Sequence, residues 1–442
     1  MTNSTKNLKR TLGKKELFAV AIGQIIGSGI MALTGVAIAL TGRSANLSFV
    51  LAAIAIIFVS IPTIFLTSTI RMRGGQYTQA AIFGGKNLAG MYIIIFIIAN
   101  ISLAMYAISF AEYFMALVPG IPYQLVAIIL VTVLFAVNYF GVNKATKIQA
   151  FMVTILAIAL ISFVGFGLPQ IQPGYFEQPG FITNGTIGLL TAMAFLTFAT
   201  GGATVIVNLS AEAINPKKDI PIVIIISTLA VAVLYAFMAT VAAGVLPIDV
   251  VANQPLTHVA KEIFPSWLYI FFIVGGAMFA LVTTLNAQIS FITKPVMQAA
   301  VDGWFPKSFA KLHPKYNTPT RLLIVFYFVA IIPIITGFNV EMIANSALIL
   351  NYIISVVFIV LQFKLPKLFK EQWEKSPFKV KNWIYYSFLA LGAGVSLFQA
   401  CLMFYNLDIY GRIGNCAVFV IAIIFGLCMS KKADMEVSVE DD

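Results

Sequence analysis

Apolar residues along this chain recur in long, nearly unbroken runs separated by short polar segments. A helix that crosses the hydrocarbon core of a bilayer needs about 20 mostly apolar residues. Twelve such runs are read, at approximately 15–40, 46–70, 87–117, 121–141, 147–168, 186–209, 220–246, 266–293, 321–338, 340–363, 383–405 and 412–430. The ninth and tenth share only a short turn around Gly337-Phe338-Asn339. The pattern predicts an all-α integral membrane protein with 12 transmembrane helices and no appended soluble domain. The longest outer segment, roughly 169–185, is rich in Pro, Gly and Gln and carries one charge, Glu177.

Two runs are interrupted by small residues. The first contains Ile25-Ile26-Gly27-Ser28-Gly29-Ile30, and the sixth contains Phe198-Ala199-Thr200-Gly201-Gly202-Ala203. A glycine costs roughly 1 kcal/mol relative to alanine inside a helix. Such a stretch either lets a neighbouring helix approach closely or breaks the helix and exposes main-chain amides and carbonyls. The two stretches lie five helices apart. If helices one to five and six to ten are inverted repeats, they occupy equivalent positions, which is the best sequence pointer to a transporter binding site.

Composition agrees with a membrane protein. Of 442 residues, 60% are hydrophobic and 10% charged, against about 25% charged in soluble domains. The net charge of +11 does not point to nucleic acid, because the basic residues lie between apolar runs. With the N-terminus inside, 25 Lys and Arg fall in cytoplasmic segments and 3 (Arg43, Lys261, Arg412) outside. That asymmetry places both termini of a multi-pass membrane protein in the cytoplasm. The tail, 431–442, is expected to be disordered. No cleavable signal peptide is evident, since the first run is too long and lacks a small-residue exit. Cys401, Cys416 and Cys428 have no metal-ligand spacing, and His258 and His313 lie in loops. No metal site, cofactor or enzymatic constellation is expected; Gly74-Gly75 lacks the lysine-serine tail of a phosphate loop.

Ionisable residues at membrane depth usually mark function, and here they are scarce. Glu112 falls near the outer end of the third helix and Glu212 near the inner end of the sixth. Acidic channel rings, voltage sensors and carboxylate proton relays are poorly supported. A site without charged side chains binds through backbone and neutral polar groups. A broken helix offers free N–H groups with about half a positive charge at one new end, and free carbonyls at the other. An α-amino acid zwitterion fits that pair: amides near Ser28 and Gly29 for the carboxylate, carbonyls near Ile25 and Phe198 for the ammonium.

Four motifs carry a resemblance. They are Gly27-Ser28-Gly29-Ile30; Arg73-Gly74-Gly75-Gln76-Tyr77 with Phe83-Gly84; Phe198-Ala199-Thr200-Gly201-Gly202 leading to Glu212-Ala213-Ile214-Asn215-Pro216 and Ile220-Pro221; and Asp302-Gly303-Trp304-Phe305-Pro306 with Phe309 and Thr318-Pro319. In this order the chain resembles the amino acid–polyamine–organocation superfamily of permeases across all twelve helices. The resemblance implies a leucine-transporter type fold: a five-plus-five inverted repeat, 1–168 and 169–363, then two helices over 364–430. It implies alternating access around a midplane site. Ile25, Ser28 and Gly29 would line the main-chain subsite, Phe198 would gate it, and Gly201 and Gly202 would form the unwound part of helix six, with Gly27, Ala199 and Thr200 as further candidate substrate-binding residues. Asn100 matches a substrate-contacting position in the arginine exchangers.

The chain also departs from the superfamily pattern. Helix five lacks the mid-helix lysine many of these permeases carry, Ala203 replaces an aromatic, and helix eight offers Thr283, Thr284, Asn286 and Gln288. The expected substrates are small-to-medium neutral amino acids, moved by exchange or facilitated uptake, with the coupling ion unassigned. A basic amino acid or polyamine antiporter of the same fold, and a Na⁺- or H⁺-coupled symporter, remain open.

Overall fold

The structure is a computed structural model that describes residues 12–72, 75–141, 145–177, 180–209, 213–435 and 439–440. Glu212, Arg73 and Gly74 lie outside the described residues. The first apolar run is divided into α1 (Lys14–Ile25) and α2 (Ser28–Thr41). The chain continues through α3 (Ala45–Thr69), α4 (Gly75–Ala99), α5 (Ser102–Leu117), α6 (Tyr123–Tyr139) and α7 (Ala145–Gly167). Next is α8 (Gly185–Thr200), which passes directly into a 3₁₀ helix, Gly201–Leu209. Then come α9 (Pro216–Gly244), α10 (Phe279–Val301), α11 (Thr320–Ile335), α12 (Val340–Leu361), α13 (Asn382–Asn406) and α14 (Ile409–Met429).

Each apolar run falls on one helix or on consecutive helices. Among the described residues, eight stretches are long and apolar enough to cross a membrane by length and composition, and the longest, Gly29–Thr69 and Gln76–Leu117, have 41 and 42 residues. At 1.5 Å per residue each is about twice the hydrocarbon thickness, and each is bent. Gly42–Ser44 separates α2 from α3. Gly85 (φ 73°) turns α4 in the left-handed region that glycine enters without steric cost.

The helices are apolar on both faces, as burial in a bilayer requires. On α3, Ala45, Phe49 and Ala52 are fully buried, while Leu47, Val50 and Ile54 on the opposite face are exposed. The buried stripe packs α3 against α8 and α9, and α2 also packs on α8.

Connecting segments cover the C-terminal end of α2. Thr183 N donates to Thr41 O at 3.3 Å, Ser44 N to Phe181 O at 2.7 Å and Asn253 N to Gly35 O at 2.8 Å. Tyr175 Oη donates to Arg43 O at 2.6 Å, and burial pushes its phenol up to about 12.

Where it is described, the segment beyond α14 contacts other parts of the chain. Asp434 N donates to Asp302 O at 2.8 Å, and Lys86 Nζ donates to Ala433 O at 2.7 Å. A short strand, β1 (Arg71–Met72), pairs antiparallel with β2 (Val439–Glu440). Main-chain groups beyond α14 thus find partners at the ends of other helices.

Candidate substrate site at two helix interruptions

The first helix breaks at the expected place. Ile26 (φ −74°, ψ 81°) and Gly27 (φ −138°, ψ −137°) leave helical geometry between α1 and α2. Gly27 is the N-cap of α2 and has no side chain to bond the first-turn amides. The amides of Ser28, Gly29 and Ile30 therefore form a helix N-terminus with positive partial charge. On the other side of the break, Ile25 O accepts from Tyr235 Oη of α9 at 2.7 Å and from Gly27 N at 2.8 Å. Both lone pairs of that carbonyl are used.

The sixth helix does not unwind at its glycines. It tightens, with α8 ending at Thr200 and a nine-residue 3₁₀ helix beginning at Gly201. Such helices rarely exceed three or four residues, and a long one inside a helix marks a hinge or a strained sequence. Thr200 Oγ1 bonds back to Leu196 O at 3.2 Å, and Thr204 Oγ1 to Gly201 O at 3.2 Å.

The two interruptions touch. A Cβ on Gly29 would overlap Ala199 Cα and Cβ, and one on Gly202 would stand 2.8 Å from Ile25 N. The absent side chains thus allow α2 to meet α8, and the 3₁₀ helix to meet the end of α1. Ile25, Gly27, Gly29, Ala199 and Thr200 are buried, whereas Phe198, Gly201 and Gly202 are partly exposed. Phe198 lies beside Tyr106 of α5, with ring centroids 6.1 Å apart and planes tilted by 33°.

Helix α10 supplies one more group. A Cβ on Gly27 would collide with Thr284 Oγ1, and that hydroxyl is buried without a hydrogen-bond partner among the described residues. Buried polar groups are almost always paired, so an unpaired hydroxyl facing a helix break is suited to a polar solute. Two neighbouring polar residues of α10, Thr283 and Asn286, bond elsewhere. Thr283 Oγ1 bonds Phe279 O at 2.7 Å, and Asn286 Oδ1 accepts from Asn138 Nδ2 of α6 at 2.7 Å. Asn100, at the kink between α4 and α5, donates from Nδ2 to Phe96 O at 2.7 Å, and Tyr106 on the following helix lies beside Phe198.

Tyr106 and Tyr235 were not among the sequence candidates. The available signal was a phenol in an apolar run, whose hydroxyl must find a partner when buried. Among the described residues, no group of three or more His, Cys, Asp or Glu could hold a metal ion.

Comparison with known proteins adds a family and several relatives. The amino acid permease family matches residues 12–430. A branched-chain amino acid permease of Bacillus subtilis is 27% identical over 343 residues, covering 72% of this chain and 73% of that protein. A methylthioribose transporter of the same organism is 26% identical, with coverages of 72% and 73%. Cationic amino acid transporter 7 of Arabidopsis thaliana, a chloroplastic protein, is 26% identical over 366 residues, 76% of this chain and 62% of that one.

Proposed function

We propose that this chain, which belongs to the amino acid permease family, moves small-to-medium neutral amino acids across the plasma membrane by alternating access. As a permease it is a multi-pass membrane transporter, and its substrate class is the amino acids. The finer reading is a leucine-transporter type fold, with twelve crossings, both termini cytoplasmic, two inverted repeats over 1–168 and 169–363, and two further helices.

One observation carries the site: the break at Ile26–Gly27 meets the α-to-3₁₀ junction at Thr200–Gly201, through Gly29 on Ala199 and Gly202 on Ile25. In this reading the α2 amides at Ser28 and Gly29 take the carboxylate of the zwitterion. The ammonium is held by main-chain carbonyls near Phe198, because Ile25 O already has two donors. Thr284 Oγ1 supplies a neutral polar contact, and Tyr106 with Phe198 closes over the solute. A site of this kind has no carboxylate for a cationic side chain, which supports neutral substrates, as does the similarity to a branched-chain amino acid permease.

Exchange or facilitated uptake fits the apolar fifth helix, which has no mid-helix lysine. Labelled alanine or leucine entering proteoliposomes is expected to be accelerated by the same unlabelled amino acid inside. Uptake that requires an ion gradient and shows no acceleration contradicts exchange. The similarity to a cationic amino acid transporter favours a second reading, a basic amino acid or polyamine antiporter of the same fold. Stronger competition by arginine, lysine or putrescine than by alanine selects it.

A further inference from the structure

A groove of about 230 Å³ lies on the surface between α6 and α11, far in sequence from either helix interruption. Its walls are apolar, formed by Phe135, Ala136, Tyr139 and Phe140 of the α6 end and by Leu323 and Tyr327 of α11. Thr132 and Tyr327 bridge it at 3.0 Å. Exposed Val133, Ile324 and Phe328 flank it, so it opens toward the hydrocarbon.

One end of the groove is built. The turn after α10 is fixed on the last turn of α6, because Thr318 Oγ1 donates to Tyr139 O at 2.7 Å. The turn is closed by His313 N to Thr318 O at 2.8 Å and Asn317 N to His313 O at 2.9 Å. Tyr316 stacks on His313 at 4.7 Å and meets Phe140 edge-on at 5.3 Å. Above the Tyr316 ring, at 5.4 Å, stands the ammonium of Lys315. Aromatic residues at a membrane surface are general, but a turn locked to a groove end, with a cation held over it, is specific.

Charge names the occupant. Residues 294–321 contain Lys294, Lys307, Lys311, Lys315 and Arg321, and one acid, Asp302. Asp302 is buried and accepts from Tyr77 Oη at 2.6 Å and Gln298 Nε2 at 2.8 Å. Basic pockets between membrane helices on the cytoplasmic side bind anionic headgroups. We propose that the groove between α6 and α11 binds an anionic phospholipid, one acyl chain lying along Ala136 and Leu323 and the phosphate at Lys315. This site is independent of the substrate reading above.

The test uses full-length protein in detergent, offered equal amounts of phosphatidylglycerol and phosphatidylcholine of matched chains, with retained lipid read by native mass spectrometry. Phosphatidylglycerol is expected to be retained in preference. Lys315→Gln reduces that preference about five-fold, the equivalent of ~1 kcal/mol for one cation near an anionic headgroup. Ala136→Phe fills the groove at an exposed position and removes the retained lipid, with the melting temperature in lipid-free detergent unchanged. Equal retention of the two lipids, or retention of phosphatidylglycerol by both variants at the parent level, overturns the proposal.

Discussion

Gly29 of α2 lies so close to Ala199 of α8 that a methyl group on it would occupy the space of the Ala199 Cα. Two helices that must meet at their interruptions cannot carry side chains there. Overpacking a closed contact costs about 1–3 kcal/mol. Gly29→Ala is therefore expected to lower the melting temperature and slow uptake, and Gly29→Leu to abolish uptake while protein still reaches the membrane. Uptake and affinity at the parent level in Gly29→Leu would show that the contact is not where the substrate is held.

Gly202 faces the end of α1 in the same way, with Ile25 N 2.8 Å from an added Cβ. The substitution Gly202→Ala should push the 3₁₀ helix away from α1. A loss of binding similar to that of Gly29→Ala is expected, and the double variant should lose less than the sum, since neighbouring sites couple. Additive losses, measured by a thermal-shift titration, would mean that the two glycines do not share a site.

Tyr235 Oη holds Ile25 O at 2.7 Å in a fully buried position. Tyr235→Phe removes a hydrogen bond worth about 1 kcal/mol and frees one lone pair at the break. The variant is expected to melt a few degrees lower yet to bind substrate as tightly or more tightly, because an ammonium can use the freed carbonyl. Unchanged stability with weakened binding would place the phenol on the substrate instead.

The Thr284 hydroxyl has no partner among the described residues, which gives its removal opposite effects in the two states. Thr284→Val should leave the empty protein as stable or more stable, since an unsatisfied buried group disappears. Substrate affinity should fall by up to about ten-fold. A variant with lower stability and normal affinity would make Thr284 purely structural.

Tyr175 links the segment before α8 to Arg43 O, and burial raises its phenol to about 12 from 10.0. With the folded value above the unfolded one, its contribution is complete below pH 10. It is lost as pH rises toward 12, because the unfolded chain releases the proton first. Tyr175→Phe is expected to lose this alkaline slope in melting temperature; a slope identical to the parent assigns it to another group.

Much of the architecture was legible in the sequence. Long apolar runs follow from the bilayer as solvent, and helices fall on every run. The break at Gly27 was legible because Gly-Ser-Gly is poor helix chemistry. The second interruption was legible in position but not in form: Gly201 and Gly202 permit both unwinding and tightening, and contact with Gln24 and Ile25 is long-range. Tyr106, Tyr235 and the selection of Thr284 over Thr283 and Asn286 depend on which face of each helix points inward. In a helix apolar on all sides, periodicity carries no such signal. The tail contacts to Asp302 and Lys86 were hidden for a related reason, since a polar composition does not reveal where its main-chain groups find partners.

The central claim is that main chain at two meeting interruptions grips both charges of an amino acid zwitterion. The direct test is calorimetric binding of alanine or leucine to the purified protein, compared with the methyl ester and the N-acetyl form of the same amino acid. The account predicts saturable binding of the free amino acid, at least about ten-fold weakening by either block, and loss of binding in Gly29→Leu. Binding of the blocked forms as tight as that of the free amino acid would contradict it.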